Sequence, residues 1–254
     1  MINADFHVHT NFCDGKNTPE EMVLCAISLN LSKIGLVCHA YTPCDQSYCI
    51  KKEDITPFVL EVNRLKEKYK DKIEVFCGVE YDCFAKMPID NFDYCIGSLH
   101  YVFKDNKYLP VDESKDSVKK IVEEHFDGDF YSFCQKYYET LSDIYSKVTP
   151  NFIAHFDLVS KYNKLGDLFD ENDQRYIKSW QECADKLLAK NAVFEINLGG
   201  IIRGYKDNAY PSESQIKYLL EHGAKFIINT DSHSVNALTY GNKLNIEKIF
   251  EIIS

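Results

Sequence analysis

Asp5-Phe6-His7-Val8-His9-Thr10 is a short strand-like run that carries a His-x-His pair, and the fold of the chain is decided by how it is read. Side chains alternate along an extended strand, so residues two apart point the same way. His7 and His9 therefore converge, and two convergent imidazoles are part of a site for a borderline metal ion. Taken alone, the pair fits two solvated histidines equally well. The choice depends on whether comparable places downstream carry further ligands.

They do. Residues 3–8 read as a first strand. Thr18-Pro19-Glu20-Glu21 then starts a helix, with Thr18 as N-cap, Pro19 at the first helical position and Glu21 at the reciprocal position of a capping box. That helix runs to about Leu29. Lys33 to Cys38 predicts a strand ending on His39, and a helix over 56–70 leads to a strand over 73–79 that ends on Glu80. A strand over 93–98 ends at Leu99-His100. Residues 101–113 read as an irregular excursion or hairpin, followed by helices over 116–125 and 129–147. Asn151 to Ala154 predicts a strand ending on His155, and a helix over 172–190 leads to another strand over 192–197. The loop after it carries Gly199, Gly200 and Arg203. A helix over 213–222 and a strand over 225–229 deliver Thr230-Asp231-Ser232-His233, and one or two short helices complete the chain.

Seven strands, most of them separated by helices, predict a parallel sheet in one domain. The candidate residues sit at or just past the carboxyl ends of those strands. In a closed parallel barrel these ends share one face, whereas an open sheet gathers ligands only near a switch point. So many contributing strands cannot meet at one crevice of an open sheet. The expectation is a single α/β barrel domain over residues 1–254.

Composition bounds the function. Of the 254 residues 45% are hydrophobic, so a full core can form, and no stretch is long enough to span a bilayer. No basic-then-apolar signal region opens the chain. The ten cysteines are scattered and include no Cys-x-x-Cys, which predicts thiols used as small core residues in a reducing, cytoplasmic setting. A net charge of −10 argues against a nucleic-acid surface. It leaves an anionic substrate open, because clustered divalent ions make one pocket locally positive.

The candidate metal ligands are His7, His9, Asp14, His39, Glu80, His100, His155, Asp231 and His233. Taken singly, most have an ordinary reading: Asp14 before Gly15 as a turn residue, Asp231 as an N-cap, His39 or His155 as a core histidine bonded to a carbonyl. Glu80 resists one, since a carboxylate that ends an apolar strand needs a partner when buried. His125 reads as solvated, and His222, before Gly223, as a helix-end imidazole favoured by the dipole. Nine ligands exceed the needs of one ion. Two or three ions sharing a carboxylate would use the set, and three divalent ions against three carboxylates leave about three surplus positive charges. Such a site traps anions, phosphate above all.

These residues resemble a known family. Asp5-Phe6-His7-Val8-His9-Thr10, His39, Gly78-Val79-Glu80-Tyr81-Asp82, Gly97-Ser98-Leu99-His100, Ala154-His155-Phe156-Asp157 and Thr230-Asp231-Ser232-His233 look like the motifs of the polymerase and histidinol phosphatase (PHP) superfamily, in family order over nearly the whole chain. Glu195 to Arg203 followed by Tyr210-Pro211-Ser212 is similar to its histidinol-phosphate phosphatase branch. Two positions depart from the pattern: Asp14 stands where some relatives have His, and Leu198-Gly199-Gly200 where the branch more often has a Thr-Ser-Gly-like run.

The resemblance implies a distorted (β/α)7 TIM-like barrel with three divalent transition-metal ions, zinc, iron or manganese. His7, His9, Glu80 and Asp231 would hold one ion, Glu80 would bridge to a second on His100 and His155, and Asp14, His39 and His233 would hold the third. It implies hydrolysis of a small anionic phosphate ester, L-histidinol phosphate, in histidine biosynthesis, with a metal-bridging hydroxide as nucleophile. Arg203 and Lys161 are candidate phosphate contacts, and Glu80 and Asp231 candidate catalytic residues, Asp231 orienting the nucleophile or passing a proton to the leaving alkoxide. Competing readings are a phosphoesterase for another small ester or nucleotide, a metal-dependent amide hydrolase, and a metal-binding protein without activity.

Overall fold

The computed structural model describes residues 2–245 and Glu247. In chain order they form β1 (Ala4–His9), α1 (Pro19–Ser28), β2 (Lys33–His39), α2 (Ile55–Tyr69), β3 (Glu74–Asp82), β4 (Tyr94–Ser98), β5 (Tyr101–Lys104) and β6 (Lys107–Pro110). Next come α3 (Lys115–His125), α4 (Phe130–Leu141), β7 (Phe152–Ile153), α5 (Gln174–Leu188), β8 (Val193–Asn197), α6 (Gly199–Ile202), α7 (Glu213–Glu221), β9 (Lys225–Asn229) and α8 (Val235–Lys243). The end of the chain, where one or two short helices are expected, lies partly outside the described residues; α8 is the helix within them.

Seven strands make one parallel sheet in the order β1-β2-β3-β4-β7-β8-β9, and β5 with β6 forms a separate antiparallel hairpin. The sheet curls until its edges meet. His9 N donates to Ser232 O at 2.8 Å, Phe6 N to the Asn229 side-chain oxygen at 2.8 Å, and Thr230 Oγ1 to Asp5 Oδ2 at 2.5 Å. Side chains and one isolated bridge, Val8 to Ser232, stand in for a full ladder, so the barrel is nearly closed. Asp5 has no exposure; burial pushes its carboxyl up to about 6 despite the hydrogen bonds from Thr230 and the His7 backbone.

Local chemistry sets the element ends. At α1, Glu21 N donates to Thr18 Oγ1 at 3.3 Å while Thr18 N donates to Glu21 Oε2 at 2.8 Å, a reciprocal cap worth about 1 kcal/mol. Three expectations change. Strand β7 has two residues rather than four, because its partners β4 and β8 engage only Phe152 and Ile153. The second of the paired helices stops at Leu141, and a tighter turn over Ile144–Ser146 carries Ile144 into the core. The loop after β8 is helical over Gly199–Ile202, where Ile202 N and Arg203 N reach the carbonyls of Leu198 and Gly199.

Inside the barrel, the amino ends of the strands pack Phe6, Tyr94, Phe152, Val193 and Ile227 around Val37, Ile96 and Ala154. Tyr94 Oη donates to Phe6 O at 2.7 Å across this layer. Each large apolar side chain buried here contributes roughly 1.5–3 kcal/mol. Further along the same strands the interior turns polar.

Candidate metal centre

Glu80, near the end of β3 and 1% exposed, stands among five imidazoles. Its Oε2 lies 3.0 Å from His39 Nδ1 and 3.2 Å from the Nε2 atoms of both His7 and His9. Its Oε1 lies 2.9 Å from His155 Nε2 and 3.4 Å from His100 Nε2. Parallel register produces this meeting, because β2 aligns His39 beside Glu80 and β1 aligns His9 beside Val37. The loops after β1 and β9 add the rest. Asp14 lies 3.2 Å from His233 Nε2, 3.7 Å from His39 Nε2 and 3.8 Å from His9 Nδ1, and Asp231 Oδ1 lies 3.6–3.7 Å from His7, His9 and His233. The structure thus brings all nine candidates to one end of the barrel. His125 and His222 lie elsewhere, paired with Asp105 Oδ2 and with the Tyr218 carbonyl, each at 2.7 Å.

The donor set fits metal ions. His7 Nε2 and His9 Nε2 are 3.1 Å apart, and both face the same Glu80 oxygen at 3.2 Å. One proton can serve only one such pair, whereas a cation satisfies all three lone pairs together. Separations near 3 Å are what neighbouring ligands adopt around an ion at roughly 2.1 Å. Three sets have donor atoms within 4.8 Å of one another: His9, Asp14, His39 and His233; His7, His9 and Glu80; His39, Glu80 and His100.

Groups behind the imidazoles orient them. Glu195 Oε1 accepts from His7 Nδ1 at 2.7 Å and from Asn229 at 2.9 Å; its Oε2 accepts from the His155 backbone at 3.0 Å and from Asn197 at 2.8 Å. A proton on His7 Nδ1 serves the bond to Glu195, and the ring so held turns Nε2 toward Glu80. Asp82 accepts from His100 N at 2.7 Å and faces its Nδ1 at 3.3 Å. His9 Nδ1 faces Cys13 Sγ at 3.4 Å. Sequence reasoning missed these supports, although a carboxylate inside the apolar run Val193–Asn197 was a usable signal. Two candidates, His155 (φ 23°) and Asp231 (φ 53°), hold left-handed backbone, which costs of order 1–3 kcal/mol at a non-glycine residue.

Charge balance follows from the geometry. Burial would raise the Glu80 carboxyl, but His39, His7 and His100 outweigh it and hold it well below the usual range. Burial would lower His7, yet Glu195, Glu80 and Asp231 hold it well above 6.5. His39 rises to about 10, because Glu80 and Asp14 overcome its burial. Burial likewise opposes the ionised forms of Asp14 and Asp231, but His39 and His233 beside the first, and Arg203 and His7 beside the second, hold both below their ordinary value.

A cavity of about 450 Å³ opens over these groups, with Asp45, Tyr101, Lys161, Arg203, Tyr205 and Tyr210 in its walls. Arg203 donates to Asp231 Oδ2 at 2.7 Å and to its carbonyl at 2.9 Å while its side chain stays 35% exposed. Lys161 donates to the Asp112 carbonyl at 2.9 Å and to Oδ2 at 3.1 Å, leaving one of three N–H donors.

Residues 5–198 match the PHP domain family. The chain belongs to the PHP domain family. This PHP chain is 26% identical over 193 residues to a Schizosaccharomyces pombe protein named "Probable histidinol-phosphatase"; the match covers 69% of this chain and 59% of that protein. It is 27% identical over 248 residues to the Lactococcus lactis protein named "Histidinol-phosphatase", covering 92% of this chain and 85% of that one. The solved structure of a Lactococcus lactis histidinol phosphate phosphatase, complexed with zinc, L-histidinol and phosphate, shares the fold with a TM-score of 0.64 at 18% identity. That alignment covers 99% of this chain and 92% of the solved one.

Proposed function

We propose that the chain, read as one unit over residues 1–254, is a metal-dependent histidinol-phosphate phosphatase of histidine biosynthesis. It would hydrolyse L-histidinol phosphate to L-histidinol and phosphate. The observation that carries this reading is five imidazoles facing one buried carboxylate, Glu80, beneath a cavity that Arg203 lines. The names of the two relatives support the substrate.

We assign His7, His9, Glu80 and Asp231 to one ion, Glu80, His100 and His155 to a second, and Asp14, His39 and His233 to a third. Zinc, iron and manganese all suit these mixed ligands. Bound divalent ions supply a hydroxide at neutral pH and polarise phosphoryl oxygens. The chain does the remainder. Arg203 neutralises Asp231 and keeps N–H donors for a phosphoryl oxygen, where a planar guanidinium binds in two places. Asp231 orients the attacking water or passes a proton to the leaving alkoxide. Lys161 contributes its remaining donor to the phosphate. Among the described residues no helix is long and apolar enough to cross a membrane. The ten cysteines are free thiols, eight of them buried, which suits a reducing cytoplasm.

The test measures metal content and phosphate release from histidinol phosphate on one purified sample, beside a panel of other small phosphate esters and nucleotides. Full metal content with no release from histidinol phosphate, and release from another ester, would transfer the reading to that ester.

A further inference from the structure

Gly199, Gly200 and Tyr210 have no task in the mechanism above, yet the backbone brings them against its parts. A Cβ at Gly199 would stand 2.8 Å from Asp231 Oδ2 and 3.1 Å from Arg203 Nη2. A Cβ at Gly200 would stand 2.9 Å from Cε2 and 3.0 Å from Cζ and Oη of Tyr210. Two consecutive positions without side chains thus seat the guanidinium and the phenol next to each other at the start of α6. Tyr210 is held there by its backbone: Asn197 N donates to Tyr210 O at 2.7 Å and Tyr210 N to Asn197 O at 3.0 Å, fixing it to the end of β8.

The phenol is 3% exposed and lines the same cavity as Gly200 and Arg203. Its hydroxyl has no hydrogen-bond partner among the described residues. Buried hydroxyls are almost always paired, and an unpaired one costs stability that no packing contact returns. A donor kept unpaired beside a guanidinium is a place for an acceptor that arrives with the ligand.

We propose that Tyr210 is a substrate-binding residue whose hydroxyl donates to the phosphoryl oxygen that Arg203 binds from the adjacent seat. The identity of the ester rests on the phosphatase reading; the contact itself needs only a phosphate-type anion. The experiment therefore uses two probes on the metal-loaded protein, inorganic phosphate for binding and histidinol phosphate for turnover. Tyr210→Phe should weaken phosphate binding and lower kcat/KM by about 10- to 100-fold, the range for a lost hydrogen bond to a charged group. Metal content should be unchanged and Tm equal or higher, since the hydroxyl removed has no partner in the free protein. Gly200→Ala, which pushes the ring from its seat, should cause losses of the same order, and the double variant should add little to either. Phosphate affinity and turnover within twofold of wild type in Tyr210→Phe would overturn the proposal. So would a lower Tm, which would give the hydroxyl a structural partner. If the wild type binds phosphate but releases none from histidinol phosphate, the phosphatase reading fails, and the phosphate affinity of Tyr210→Phe still decides the role of Tyr210.

Discussion

At the amino ends of its strands the barrel packs Phe6, Val193 and Ile227, partly buried, with the buried Phe152; toward the carboxyl ends its strands bury His7, His9, His39 and Glu80. Individual side chains are deeply buried at both ends, with Phe152 at 5%, Glu80 at 1% and His7 at 0% exposed. The energetics are opposite. Apolar surface removed from water stabilises by about 25 cal/mol per Å². Imidazoles and carboxylates removed from water cost several kcal/mol each unless partners restore what the solvent gave. The difference teaches that the lower layer supplies stability and the upper layer consumes it, and that ions bound above would change the account only there.

Four experiments break or sharpen that contrast. Glu80→Gln has the largest expected effect: at least one metal position empties, and turnover falls about 1,000-fold or more, as expected when several kcal/mol of transition-state stabilisation is lost. Elemental analysis of the variant showing full metal content would end the bridging assignment. Phe152→Ala acts below and should cost about 3–5 kcal/mol, lowering Tm by roughly 2–4 °C per kcal/mol. Its metal per folded molecule should match wild type, and a deficit would mean the two layers are not independent. Glu195→Gln removes the charge that orients His7 and should weaken metal affinity about 10- to 100-fold. Competition with a chelator measures this; unchanged affinity would make Glu195 a purely structural residue.

The smallest signal is in protons. Neighbouring carboxylates hold His7 above its ordinary value and raise His39 to about 10 despite their burial, so His39 carries its proton in the metal-free protein at about pH 8. Loading must displace the His39 proton, so metal uptake should release protons and affinity should rise with pH through this range. Calorimetry in buffers of different ionisation heat reads the number directly. No release would show that the imidazoles are already neutral.

Much of this was legible in the chain. Thr18, Pro19 and Glu21 act within one turn, so a local reading placed the start of α1 correctly. The gathering of the nine candidates at one end was readable because period-two alternation and strand ends are also local features. What escaped is what the strands do to one another. The two-residue β7 depends on how far β4 and β8 reach along it. Glu195 matters because β8 brings it under His7 on β1, at a distance of 2.7 Å across 188 residues of chain. Lys161 reads as a free cation until the fold places Asp112 beside it. The helix at Gly199–Ile202 was hidden because paired glycines signal a loop by propensity, and only the seats for Arg203 and Tyr210 explain them.

The clasp that closes the barrel joins Asp5 to Thr230, residues 225 apart in the chain. On the ribosome, His7 and His9 are made ahead of Asp231 and His233, with almost all of the barrel between them. A nascent or truncated chain therefore carries seven of the nine candidate donors without Asp231 and His233, and completing the set is a step that follows their synthesis. The nine candidate donors come together only once the clasp has formed, so an ion that needs all of them would be taken up by the folded barrel and not by the growing chain.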